Sequence, residues 1–470
     1  MRRSSAPIVR RSTAQLLQQA VVGEMSSMGG YISRFWMMAS FRDKLTLQAL
    51  EGMKITSFTA TDVALQMLLD GCQVTKLQNH ETTPLIFINL NLTPQRRYRN
   101  ENILLSCLIP GPRAHKNLDS FLFPVVQELK ELGQGIPDCA NESSETTFTL
   151  HAYLMLISAD GLASADAIGM KKPGNSYRPC HQCSIMATLG LNRTYYIPHS
   201  PNMDLHNLSP RQNLRKVFAL WEALADPKHK KEMSQELGLV KSSILMELPT
   251  LHFPRSFPLD LMHCVLQNIM PELFRLWGGK RSREDKKARS NEREYRKRLQ
   301  RDFGNTIELP AQPDLTPQPY ELSDKKWQEI GKWQTASRRT IPTNLGQAPR
   351  PIDKNYGGYK AMEWQEFLVR DGPALLSHLA TTRDGDDTEF TPFYLNFLLL
   401  RKIYVQASHW KVTPLDLEIL QDDCVAFVRD WEKLYYNNEP ERMTVCKINV
   451  HALLHLGTSF PTELQLADYS

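Results

Sequence analysis

Apolar residues along the chain follow two periods. Between residues 61 and 160 they fall in short β-rich runs: TDVALQMLLDGCQV (61–74), PLIFINLNL (84–92), NILLSCLIP (102–110) and TTFTLHAYLMLISAD (146–160). Runs of this length and composition, bounded by turn residues such as Pro110-Gly111-Pro112, predict strands. Between the third and fourth lies LDSFLFPVVQELKELGQG (118–135), where Leu122, Val125, Val126 and Leu129 repeat at helical spacing and Gly133 offers a stop. The predicted order is strand, strand, strand, helix, strand. Beyond residue 207 the pattern turns helical: SPRQNLRKVFALWEALAD (209–226) and PLDLMHCVLQNIMPELFRLW (258–277) are amphipathic, and 391–436 predicts two or three core helices. Residues 302–358, rich in Pro and polar residues, read as a long irregular connection.

This order places Asp70 on the first strand and Asp160 at the end of the fourth. It is the layout of an α/β fold with an RNase H-like core, in which the ends of those two strands lie side by side. Two carboxylates far apart in sequence then share one metal site, suited to Mg²⁺. Such hard cations take oxygen ligands, and a pair of them activates water and stabilises the leaving oxygen of a phosphodiester.

Composition changes this picture little. The 470 residues are 41% apolar and 23% charged, ordinary for a globular chain long enough for several domains. No apolar run reaches the ~18 residues of a membrane span, and MRRSSAPIVRRS lacks the apolar core of a secretory signal. The charge is more informative. From Lys280 to Arg301 eleven Lys or Arg face four Asp or Glu, a local charge of +7 in a chain of net charge +5. Lys280, Arg281, Arg283, Lys286, Lys287 and Arg289 are candidate phosphate contacts; a solvated, mixed-charge helix or loop is the blander reading.

Of eight cysteines only Cys180 and Cys183 are close in sequence. The Cys-x-x-Cys pair is half of a zinc site, with two packed thiols or a redox pair as alternatives. Candidates for the other half are His181, His199, His206, His263 and Cys264, His263 being the first choice. Asp260 and His263 are neighbours on one helix face, suited to a hydrogen-bonded pair or to a metal site. His151 and His451, in apolar surroundings, read as buried hydrogen-bonded histidines, and Trp431, Tyr435 and Tyr436 as core.

Several motifs in order carry a more specific signal: LLDGCQ (68–73), NLTPQRRYRNENILLSCLIPGP (91–112), LISADGLASADAIGM (156–170), YRPCHQCSI (177–185), PLDLMHCVLQNI (258–269), RRTIPTNLGQAPRPIDK (338–354), KAMEWQEFL (360–368) and EKLYYNNEPERMTVCKINVHALLHL (432–456). Over roughly residues 60–455 the chain resembles CACTA-type (En/Spm-like) DNA transposases of fungi, related to Plavaka elements. The resemblance implies an RNase H-like core with a DDE triad, interrupted by a large, mainly α-helical insertion. Asp70 and Asp160 match the first and second acids, Cys180 and Cys183 the Cys pair, and Asp260 and His263 the Asp-x-x-His signature. It also implies Mg²⁺ or Mn²⁺, possession of zinc as an open question, transposon-end DNA as partner, a nuclear location, and no membrane; a homo-oligomer is left open.

The departures matter. Ala159 stands where the family has Gly before the second acid, and Pro173-Gly174 replaces its Gly-His. After HALLHL the family continues into a Gly-Pro, Trp-rich helix with the third acid; here GTSFPTELQLADYS (457–470) follows, with Glu463 its one Glu. That tail reads as a shifted frame or misplaced splice. The expectation is a transposase-derived protein with a defective active site; the alternative is a domesticated DNA- or protein-binding module without catalysis. The expected division is an N-terminal helical segment (1–55), an RNase H-like half (56–170), a Cys/His segment (171–206), a helical insertion with the basic segment 280–301 (207–456) and the aberrant tail (457–470).

Overall fold

The computed structural model describes residues 59, 61–73, 81–111, 117–141, 146–189, 193–279, 318–338, 341, 350–381, 387–409 and 412–457. The basic segment 280–301, the N-terminal segment 1–55 and all but the first residue of the tail lie outside them.

A five-stranded mixed sheet organises the first part. Strand β1 (Val63–Leu69) pairs antiparallel with β3 (Glu81–Asn89), and β2 (Cys72–Gln73) continues along the same edge of β3 in the same register. Strand β4 (Ile103–Pro110) takes the other edge of β3. After helix α1 (Asp119–Gln134) a small hairpin of β5 (Ile136–Ala140) and β6 (Thr147–Leu150) intervenes. Strand β7 (Ala152–Ala159) then pairs with β1 in parallel, and α2 (Gly161–Ile168) follows. The strand spans expected from the pattern correspond to β1, β3, β4 and β6–β7, and the expected helix to α1. The β5–β6 hairpin was not foreseen.

Alternation of side chains along a strand divides the sheet residues between two cores. Leu65, Met67 and Leu69 of β1 pack with Leu85, Phe87, Leu122, Val126 and Leu129 on one face. Helix α1 covers that face through Leu122, Val125, Val126, Leu129 and Leu132, its apolar stripe. In β7 the register slips opposite Leu65/Gln66. That extra residue, Met155, lets Ala152 and Leu154 before it, and Ile157 and Ala159 after it, face the same core. Ala64, Met155 and Leu156 join the second core, built from the helical part.

That helical part contains α3 (Leu214–Ala223), α4 (Pro227–Leu237), and a continuous helix with a π-helical stretch, Met262–Ile269, followed by α5 (Met270–Trp277). Later come α6 (Asp324–Ser337), α7 (Gly372–Ala380), α8 (Thr391–Ala407), α9 (Pro414–Trp431) and the short α10 (Ile448–Ala452). Helix α6 corrects the reading of 302–358 as irregular throughout. Trp277 and Trp431, both fully buried, anchor the aromatic core with Tyr435, Phe393 and Phe397, which is where Trp431, Tyr435 and Tyr436 were expected. Among the described residues no helix is long and apolar enough to cross a membrane.

Candidate functional site

The parallel pairing of β1 with β7 sets Leu69 opposite Ala159. The next residue on each strand is an acid, Asp70 and Asp160. Neighbouring strands lie about 4.8 Å apart, so the two residues leave the sheet side by side at one end. Asp70 is in fact one residue beyond β1 rather than within it. By alternation both acids follow Gln66 and Ser158 onto the face away from α1. There the Gln66 amide donates to Ser158 Oγ at 2.6 Å in a buried bridge between the two strands. Asp160 also caps α2: its Oδ1 accepts from the backbone N–H groups of Leu162 (2.9 Å) and Ala163 (2.6 Å). That cap fixes the carboxylate at the strand end.

Two further groups join them. The segment from Thr250 to Phe257 runs along the outer edge of β7: Thr250 Oγ1 donates to the Leu154 carbonyl, and Ile157 N–H donates to that of Ser256. An edge covered in this way is closed to other strands. The segment delivers Asp260 and His263 to the acidic end of the sheet. The Asp260 carboxylate accepts from the His263 backbone N–H (3.1 Å) and from its ring Nδ1 (2.5 Å).

The electrostatics tie the four residues together. Asp70 is held above the ordinary carboxyl range, first by desolvation and then by the charges of Asp160 and Asp260, with His263 opposing. Asp70 is nevertheless exposed to solvent, which screens these charges. For His263, burial works against protonation, but the hydrogen bond to Asp260 and the charges of Asp260, Asp70 and Asp160 outweigh it and hold the ring above the ordinary imidazole range. The charges of Asp160, Asp260 and His263 thus reach Asp70, although among the described residues their ligand atoms are not drawn together as those of Cys180, Cys183, His451 and His455 are. The carboxylate oxygens suit a hard divalent cation, and the mutual repulsion that raises Asp70 is what such an ion would relieve.

The Cys pair forms a separate cluster. Cys180 and Cys183, both buried, meet His451 and His455, and the four ligand atoms all lie within 4.8 Å of one another. His263 is not among them. The expectation that it completes the Cys pair is corrected: Asp260 holds its ring, and the acidic cluster is its electrostatic partner. His451 is buried and hydrogen-bonded, as read from its apolar surroundings, but its partners are Cys183, His199 and His455. The missed signal was the His-x-x-x-His spacing in HALLHL, which sets two rings one helical turn apart. The DNA-contact candidates Lys280, Arg281, Arg283, Lys286, Lys287 and Arg289 lie outside the described residues.

Compared with known families, residues 57–236 match the model of transposase family tnp2. The match covers less than half of the chain and spans the sheet, both strand-end acids and the Cys pair. It supports a transposase family for this protein. Curated proteins give no match.

Proposed function

We propose that this chain is a transposase-derived protein of CACTA type, related to the Plavaka elements of fungi, whose sheet is an RNase H-like core and whose Asp70 and Asp160 are the first two acids of a DDE-type site. The observation that carries the reading is the parallel β1–β7 pairing, which puts the two acids at neighbouring strand ends inside the stretch that matches transposase family tnp2. Asp70 and Asp160 would hold Mg²⁺ or Mn²⁺, with Asp260 and His263 beside them. Bound there, the ion would supply Lewis-acid activation of water and neutralise charge on a phosphodiester. Asp160, fixed by its cap on α2, orients one face of the site. Asp260 positions His263, whose raised proton affinity offsets the negative charge of Asp70, Asp160 and Asp260.

The resemblance places the third acid of such a site beyond His455, and residues 457–470 do not match that part of the family. For these 470 residues the reading is DNA binding and divalent-ion binding without cleavage of transposon ends, in the nucleus. Incubation with Mg²⁺ or Mn²⁺ and terminal-repeat DNA should give no strand breaks. Metal-dependent breaks that vanish in Asp160→Ala would show a complete active site.

DNA binding rests on the +7 stretch from Lys280 to Arg301. Neutralising phosphates releases counterions, so retention on DNA should be independent of sequence and should fall steeply with salt. Replacing the Lys and Arg of 280–301 by Gln should remove most retention at low salt. Unchanged retention would take this segment out of the account.

A further inference from the structure

We propose that Cys180, Cys183, His451 and His455 hold a tetrahedral structural zinc ion, and that Glu432 and His199 form the outer relay that prepares His451 to bind it. The inference stands on a cluster apart from the acidic site and does not depend on the proposed function.

The donor set is the first argument. Two thiols and two imidazoles, all buried, bring their ligand atoms within 4.8 Å of one another. Closed structural zinc sites use two Cys and two His in this way. Cys183 Sγ lies 3.2 Å from His451 Nε2, and the Nε2 atoms of His451 and His455 are also 3.2 Å apart. The backbone N–H of Gln182 donates to Cys180 Sγ at 3.3 Å, the kind of support a thiolate takes within a tight Cys-x-x-Cys turn.

The proton arrangement is the second and more specific argument. A carboxylate only accepts, so the 2.6 Å contact between Glu432 and His199 Nδ1 fixes the ring proton of His199 on Nδ1. With one proton per ring, His199 Nε2 is then an acceptor. It lies 3.1 Å from His451 Nδ1, so His451 donates from Nδ1. That leaves a bare lone pair on His451 Nε2, the atom facing Cys183 and His455. A carboxylate–imidazole–imidazole chain ending on a free Nε2 is the outer-shell pattern that orients a metal-binding histidine and raises its basicity. It also gives Glu432, a buried acid, a ring donor beside the backbone N–H of His199, which donates to the same carboxylate at 3.2 Å.

The ion would join parts of the chain that are remote in sequence, since Cys183 and His451 are 268 residues apart. It would tie α10 to the loop that follows α2. From this knot two contacts lead to the acidic site: Gln182 donates to the Phe257 carbonyl, three residues before Asp260, and Cys264, next to His263, donates to the Asn449 carbonyl. The zinc would thus brace the segment that carries Asp260 and His263.

The test uses the full chain purified without chelator. Elemental analysis should find about one zinc per chain, and X-ray absorption at the zinc edge should show two sulfur and two nitrogen neighbours. This part needs no variant and so cannot be confused with misfolding. Cys180→Ser and His455→Ala should each lose the zinc, whereas His263→Ala should keep it. Glu432→Gln should retain the stoichiometry and weaken zinc about 10–100-fold against a competing chelator. A chain that neither contains nor takes up zinc, with both thiols freely alkylated in its native state, would overturn the site. A zinc shell of oxygen and nitrogen only, or zinc lost in His263→Ala, would overturn this ligand set. Zinc affinity unchanged in Glu432→Gln would overturn the relay.

Discussion

Asp70→Asn should make the metal-free protein more stable and at the same time remove its stabilisation by Mg²⁺ or Mn²⁺. Asp70 is raised above the ordinary carboxyl range by desolvation and by Asp160 and Asp260, with His263 giving only partial relief. A carboxyl raised in the folded state binds its proton more tightly there than in the unfolded chain. Folding stability is then lost as pH rises from the unfolded value through the folded one, and the loss is complete above the folded value. Asparagine keeps the shape and removes the charge. In the wild-type protein a saturating divalent ion should offset the same repulsion and raise the unfolding midpoint; at a concentration 100 times its Kd the gain is about 2.7 kcal/mol. His263 contributes with the opposite sense of benefit. Its raised imidazole adds stability that is full below its unfolded value of about 6.5 and is lost as pH rises through the folded value. Asp70→Asn removes one anion facing that ring, so this loss on the alkaline side should shrink. Thermal unfolding followed across pH, with and without Mn²⁺, checks both signs. A variant that is less stable without metal, or still stabilised by it, would contradict the cluster.

The largest loss of stability should come from Trp277→Ala, about 3–5 kcal/mol. Trp277 is fully buried where the helical part packs around it, with Phe390 at 5.5 Å and Phe397 at 5.8 Å between ring centres. Its indole N–H donates to Tyr435 Oη at 3.0 Å. Truncation leaves a cavity among close-packed rings and strips Tyr435 of a buried donor, so the transfer, cavity and hydrogen-bond losses fall on one residue. Trp333, 41% exposed, is the control: Trp333→Ala should cost less than about 1 kcal/mol. Urea unfolding of both variants measures the contrast, and equal effects would mean that Trp277 is not the keystone of this core.

What the sequence made legible follows from how local each signal is. The strands and α1 are written in period-two and helical spacings, and Asp70 and Asp160 stand at their ends. That β7 lies parallel to β1, and not elsewhere in the sheet, is a tertiary fact reached only through the order of elements. Helix α6 was hidden by its own chemistry. Its buried side includes Gln334, whose amide donates to Asp371 and whose carbonyl accepts from the Ile352 N–H, so a core face read as polar loop. His263 went to the wrong cluster because neighbouring elements, not spacing, decide which of two sites a ring joins. The edge segment along β7 carries it to the acids. The true partners of the Cys pair, His451 and His455, lie too far along the chain for any local pattern to connect them, although their own spacing was visible.

The central claim, that Asp70 and Asp160 form one divalent-ion site, is tested most directly by titrating the full chain with Mn²⁺ and following the free ion by electron paramagnetic resonance. The wild-type protein should show saturable Mn²⁺ binding that Mg²⁺ displaces, and both Asp70→Asn and Asp160→Asn should abolish the same binding event, whereas Asp204→Asn, an exposed acid hydrogen-bonded to Asn207, should leave it unchanged. Mn²⁺ binding that persists undiminished in Asp160→Asn would contradict the account.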